Sequence, residues 1–263
     1  NDELRAFPAG VAGRVAQGSQ VATHALIEGM NSGAKSMILG CVDRLISSQD
    51  FSTPVIKSLV QLVSATDEDI RFAAVTGLEE MGIEAAAAVD ALISRIGLEA
   101  SPRMVNAVGS ALGAIGVPAI PGLLAVAKES NFLKLPVVGI AFACFGSDGF
   151  AALAEYLCDS KDDWFIYTVV SAVRSSGFRA HAAVPALARL LEETDDQDLA
   201  LHVLLAIEGT GEGAKAAIPA LIQCVMLESD ELASYATIAL WNTGPDGRVA
   251  IEAAITEAQT SAQ

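Results

Sequence analysis

Apolar residues recur three and four positions apart along most of this chain, the spacing that lines one face of a helix. The stretches IRFAAVTGLEEMG, VNAVGSALGAIG, VVSAVRSSG and YATIALWNTG show it, and each ends at a glycine. A second apolar run follows a short turn, as in VPALARLLEE and IPALIQCVMLE, and starts near Pro121, Pro185 or Pro219. Glycine suits a left-handed cap on the first helix, and proline suits the opening turn of the second. The second runs stop at acidic, turn-forming segments: SATDED (64–69), DSKDD (159–163), EETDDQD (192–198) and LESDE (227–231). No convincing strand pattern interrupts this alternation.

The pairs repeat in register. GEGAKAAIPAL (211–221), GFRAHAAVPAL (177–187) and GIEAAAAVDAL (82–92) share one frame, and GPDGRVAIEAA (244–254) keeps it with Glu252 in the proline position. GVPAIPGLL from Gly116 and GSDGFAALAEYL from Gly146 fit once three residues are removed after the glycine. The six glycines stand 34, 30, 31, 34 and 33 residues apart, a period that marks a solenoid whose units bury their apolar faces on one another. Counting back, residues 34–48 and 52–64 form an earlier pair with Pro54 opening its second helix. Residues 19–30 form a lone helix, and the first eighteen a weakly structured cap. The expected organisation is a leading segment, 1–33, and one continuous array, 34–263, of about seven helical hairpins.

The same frame decides the one stretch that looks like a phosphate loop, EGTGEGAKAAIPAL (208–221). Such a loop needs a strand before it and a helix N-terminus after it. Residues 199–208 read as helix, Lys215 is not followed by Ser or Thr, and sibling turns lack its glycines and lysine. It is predicted to be an inter-helix turn.

The alternation of ALxxxG, a short turn and VPALxxLL resembles the HEAT-repeat superfamily, nearest to its short PBS-lyase-type units, over roughly residues 34–260. DEDIRFAAVTGL (67–78) carries the best match, with the aspartate and arginine that often open the first helix. The resemblance implies an all-α fold, a right-handed α-solenoid. Only Arg71 fills the family's arginine position, where other units show Asn106, Leu199 or Ala233, which argues against the intramolecular Asp–Arg ladder common in the family. Some PBS-lyase-type relatives help attach bilin chromophores to phycobiliproteins, so the resemblance also leaves open a lyase subunit or chromophore chaperone.

Composition narrows the partners. With 16 basic and 32 acidic residues the formal charge is −16, which repels nucleic acid and anionic membrane and favours a basic protein. The apolar runs are cut by charges, glycine or proline before they could span a bilayer, so no membrane insertion is expected. Cys41, Cys144, Cys158 and Cys224 lie in apolar helical runs without a CxxC pair and read as packing thiols, a Cys144–Cys158 bridge remaining open. This usage suits a reducing, cytoplasmic setting. The chain begins with Asn1, so the lack of a visible signal peptide decides little. His24, His181 and His202 are the only histidines and are too scattered for a metal site. No nucleophile with a base can be assembled, so neither cofactor nor catalytic residues are expected.

Two features point to binding. Equivalent turns of a solenoid align on one edge, so the segments at 66–69, 159–163, 192–198 and 228–231 should stack into an anionic ridge. That ridge is either a solvated rim or a docking edge, with Asp195, Asp196 and Asp198 its densest part. The second feature is aromatic: nine of fourteen aromatic residues fall between Phe132 and Phe178, the stretch holding both shortened units. Some fill core, but Trp164, Phe165 and Tyr167 follow one another too closely to all face inward. Phe132, Tyr156, Trp164, Phe165 and Tyr167 are therefore candidate anchors, with Tyr156, Arg189 and Gln223 at outward positions on second helices. The expected role is a non-enzymatic protein-binding scaffold using its concave face, with self-association open.

Overall fold

Asp67 and Asp196 show how a pair begins. The Asp67 carboxylate accepts hydrogen bonds from the backbone N–H groups of Asp69 and Ile70, at 2.9 and 3.2 Å. Asp196 does the same for Asp198 and Leu199, also at 2.9 and 3.2 Å. Each thereby satisfies two of the N–H groups that a helix start leaves without partners.

The computed structural model describes residues 20–128, 135–160, 163–226 and 230–261, and all regular structure among them is helical. The chain forms two compact units, 1–141 and 142–263. In the first, a lone helix α1 (Gln20–Met30) precedes three pairs: α2 (Lys35–Ser47) with α3 (Thr53–Leu62), α4 (Glu68–Met81) with α5 (Val89–Arg95), and α6 (Pro102–Ile115) with α7 (Ile120–Lys128). Helix α8 (Leu135–Cys144) carries the chain across the division. The second unit continues with α9 (Ser147–Asp159), then the pairs α10 (Asp163–Ser176) with α11 (Val184–Glu193), α12 (Gln197–Gly209) with α13 (Ile218–Val225), and α14 (Asp230–Asn242) with α15 (Pro245–Ser261). The described elements are thus an all-α solenoid pattern of seven successive helical hairpins, as the periodicity predicts. The predicted cap over the first eighteen residues lies outside the described residues.

The turns inside the pairs are more ordered than a loop. Gly82–Ala88, Gly177–Ala183 and Gly211–Ala217 are 3₁₀ segments of seven residues. Each buries two alanines, Ala85 and Ala88, Ala180 and Ala183, Ala214 and Ala217. The glycines opening them have positive φ, as expected, but Gly82 pairs φ 55° with ψ −131°. This lies outside the left-handed helical region predicted for the cap, in a region essentially restricted to glycine. Gly146 corrects the frame. Its φ is −79°, and it leads directly into α9, whereas Gly116, whose turn is equally short, keeps a positive φ of 77° and a 3₁₀ segment over Val117–Ala119. In the last copy α15 runs unbroken from Pro245 through Glu252, so no second helix starts at the proline position.

The cores differ in character. The first unit is packed by aliphatic side chains such as Leu45, Leu59, Leu78, Leu92 and Leu112, all wholly buried. In the second, Phe142 packs against Phe145 at 5.6 Å between ring centroids and edge-on against Phe165 at 6.3 Å. Among the described residues no single helix is long and apolar enough to cross a membrane; the apolar stretch Pro102–Ala127 bends by 117° between α6 and α7.

Candidate partner-binding site

The glycine-rich loop holds no phosphate cradle. Helix α12 precedes it, the loop is itself helical, and Lys215 Nζ lies 2.9 Å from Asp246 Oδ2. Among the described residues no group of His, Cys, Asp and Glu could hold a metal ion. Cys41 and Cys224 are buried, and burial raises both thiols above their ordinary pKa, Glu192 adding to the effect on Cys224. Cys144 is half-buried, and the Cys158 side chain lies outside the described residues.

The acidic turn of the first unit is neutralised from within. Lys35 Nζ sits 2.9 Å from Asp67 and 2.6 Å from Asp69, and Arg103 reaches Asp69 at 3.0 Å while its guanidinium lies 3.6 Å from the Phe72 ring centroid. Residues 35, 69 and 103 are one repeat apart, so a charge ladder exists where the arginine positions argued against one. The hydrogen bond from Lys35 holds both carboxyls below the usual aspartate range and lifts its own ammonium. Close by, Arg71 Nε and Nη2 each donate to Glu99 at 3.0 Å, and Arg95 donates to the same carboxylate. Burial alone would raise the Glu99 carboxyl, but the hydrogen bonds from Arg71 and Arg95 prevail and hold it below its ordinary value. The expected anionic character of 66–69 is corrected in part: Asp67 and Asp69 are answered by cations of neighbouring repeats, while Glu68 stays exposed.

The equivalent turn of the second unit has no such answer among the described residues. Asp195, Asp196 and Asp198 are exposed and form no ion pair among the described residues. Helices α10 and α14, which occupy the places of α2 and α6, open with Asp163 and with Asp230-Glu231, where the first unit has Lys35 and Arg103. Tyr167, half-buried, belongs to the same edge. Burial, with the charges of Asp196, Asp198 and Asp163, holds its phenol above the ordinary value. Its ring meets His202 edge-on at 5.3 Å, and His202 Nδ1 is 2.7 Å from the Asp198 carbonyl oxygen.

Beside this turn is a groove of about 450 Å³. Its walls include Glu192, Thr194, Asp195, Asp196 and Gln223, and its lining includes Leu191, Ala200, Ala220, Cys224 and Leu232. Two predicted features thus converge, since Gln223 from a second helix faces the same space as the acidic turn. Tyr156, Arg189 and Gln223 are all exposed, at positions 33 and 34 residues apart on α9, α11 and α13. Arg189 donates to Glu193 at 2.8 Å.

Phe165 is corrected. It is 5% exposed and packs into the phenylalanine core, so it cannot anchor a partner. Its helix turns consecutive positions by about 100°, which points Phe165 inward and leaves Tyr167 at the edge. Phe132, the Trp164 side chain, and most of 159–163 and 228–231 lie outside the described residues. Sequence reasoning missed Glu192 and Leu232 as groove residues, and it missed the ladder. The signal for the ladder was present as charges 34 residues apart.

Fold and site together define a helical-repeat protein with an acidic, grooved turn in its second unit. No family model and no curated protein matches the chain. Among solved structures it is similar to one concerned with a phosphorylation switch in the interaction between cadherin and β-catenin, at 17% identity and a TM-score of 0.37. That match covers 83% of this chain and 52% of the other, so this chain spans about half its length. Two engineered proteins are similar at 17% and 16% identity, each over 84% of this chain and 96% and 98% of theirs, both with a TM-score of 0.34.

Proposed function

We propose that this protein is a non-enzymatic, HEAT-like binding scaffold whose partner is a basic protein, received at the acidic turn of the second unit. The observation that carries the reading is the exposed trio Asp195, Asp196 and Asp198, in no ion pair among the described residues, while Asp67 and Asp69 of the matching turn in the first unit are paired with Lys35 and Arg103. An exposed carboxylate cluster of this kind attracts and orients a cationic surface, and its effect weakens with salt. The outward side chains of the second helices, Tyr156, Arg189 and Gln223, widen the contact surface beside it.

The test is a pull-down from native lysate with the chain and its Asp195→Asn/Asp196→Asn/Asp198→Asn variant. A partner retained by the parent, released by moderate salt and lost from the variant supports the reading. A partner retained equally by both discards the acidic turn. Recovery of a phycobiliprotein carrying bilin would replace the scaffold by the lyase role.

A further inference from the structure

The groove in the second unit combines two surfaces that one ligand type satisfies together. Glu192, Asp195 and Asp196 line it with carboxylates, and Leu191, Ala220 and Leu232 line it with apolar side chains. Cys224, 5% exposed and in no disulfide, also lines the space, so the groove reaches into the packed interior. The internal repeat shows what such a turn takes when the chain supplies it: in the first unit Lys35 pairs with Asp67, the counterpart of Asp196, and Lys35 and Arg103 pair with Asp69, the counterpart of Asp198 just outside the groove lining. In the second unit the corresponding helix starts are acidic, and among the described residues no cation pairs with Asp195, Asp196 or Asp198, so a cation brought by a partner would meet free carboxylates.

An inorganic cation fits poorly. No set of donors among the described residues converges as a metal would require, and a bare ion has no use for the apolar wall. A lysine or arginine side chain uses both, because its methylene stem lies along apolar surface while its head stays charged.

We propose that this groove seats a lysine or arginine side chain of a basic peptide segment, its head among Glu192, Asp195 and Asp196 and its stem against Leu191, Ala220 and Leu232. The proposal rests on the scaffold reading and narrows it to one groove and one residue type. Gln223, on the wall, offers an amide that can pair with the backbone of the bound segment.

The probes are two fluorescein-labelled peptides of alanine and glycine bearing either lysines or diaminobutyrates, which carry the same charge on a stem two methylenes shorter. Binding to the full chain is read by fluorescence anisotropy at low salt. The lysine peptide should bind about tenfold more tightly, the value of two buried methylenes. Glu192→Gln/Asp195→Asn should weaken the lysine peptide by about tenfold while the circular dichroism stays unchanged. Equal affinities for the two peptides, or an unaffected variant, overturn the groove; salt-sensitive binding that persists in that case leaves the scaffold reading standing on another surface. If the lysine peptide fails to bind even at low salt, the basic partner falls as well. Displacement of the peptide by calcium beyond the effect of matched ionic strength would assign the carboxylates to a metal and also overturn the proposal.

Discussion

Asp67 in the first unit and Asp196 in the second do the same local task, each capping the first helix of its pair through the same two kinds of N–H bond. Around them the electrostatics diverge. At Asp67 and Asp69 the neighbouring repeats contribute Lys35 and Arg103, and the turn becomes part of a ladder that ties three repeats together. At Asp196 and Asp198 the neighbouring helix starts contribute more carboxylate, and a groove opens beside them. One turn design therefore serves two ends. The cap belongs to the turn, while its use as internal glue or as an outward-facing site depends on residues about 34 positions away.

The largest expected effect comes from breaking the neutralised side. Arg71 and Glu99 are only 12% and 5% exposed at their side chains, and Arg71 also donates to the Ala65 and Thr66 carbonyls at 2.9 Å. Arg71→Met should lower the unfolding free energy by about 3 kcal/mol in urea titration, since it strands a buried carboxylate with Arg95 alone. The pH dependence should change with it. The folded Glu99 carboxyl titrates below its unfolded value, so its contribution is complete above about pH 4.3 and is lost as pH falls through the folded pKa. Urea titrations on the acid side should show a shallower loss of stability in Arg71→Met than in the parent.

An intermediate effect should follow from turning the second side into the first. Asp163→Lys/Glu231→Arg places cations at the helix starts flanking α12, as Lys35 and Arg103 flank α4. Affinity for the lysine peptide should drop about tenfold, while stability changes by less than about 1 kcal/mol because the new pairs are exposed. Unchanged affinity would show that neutralisation is not what separates the two turns.

The smallest effect tests what the turns share. Asp196→Ala should cost about 1 kcal/mol through the lost cap, and Asp196→Asn close to nothing, because an asparagine oxygen caps as well. Thermal unfolding of the two variants would separate the capping role from the charge. An equal loss in both would mean that the carboxylate charge, and not the cap, stabilises the start of α12.

Much of this architecture is legible in the chain. The helix pairs, the period, the proline starts and the glycine reversals follow from local spacing, because amphipathic periodicity and backbone preference act over a few residues. Gly146 escaped that reading: the repeat frame predicts a left-handed cap there, but its φ is −79° while Gly116, in an equally short turn, has φ 77°, so local spacing alone does not separate the two. Phe165 escaped it as well. Three close aromatics show that some must point outward, but which one does is set by the rotation of α10 against its neighbours.

The site was half legible. Asp195, Asp196, Asp198 and Gln223 could be named, since turns and exposed helix positions repeat in register. That Gln223 and the acidic turn face one groove, with Glu192 and Leu232 beside them, could not, because those residues meet through the stacking of four helices. Local spacing is enough for an all-helical repeat, for most of its helix starts and stops, and for an excess of acidic residues. The packing of the repeats settles which carboxylates are paired inside the protein and which stay exposed. The physical reason is range: a cap is made within three residues, whereas an ion pair between repeats forms only when packing brings together charges a full repeat apart.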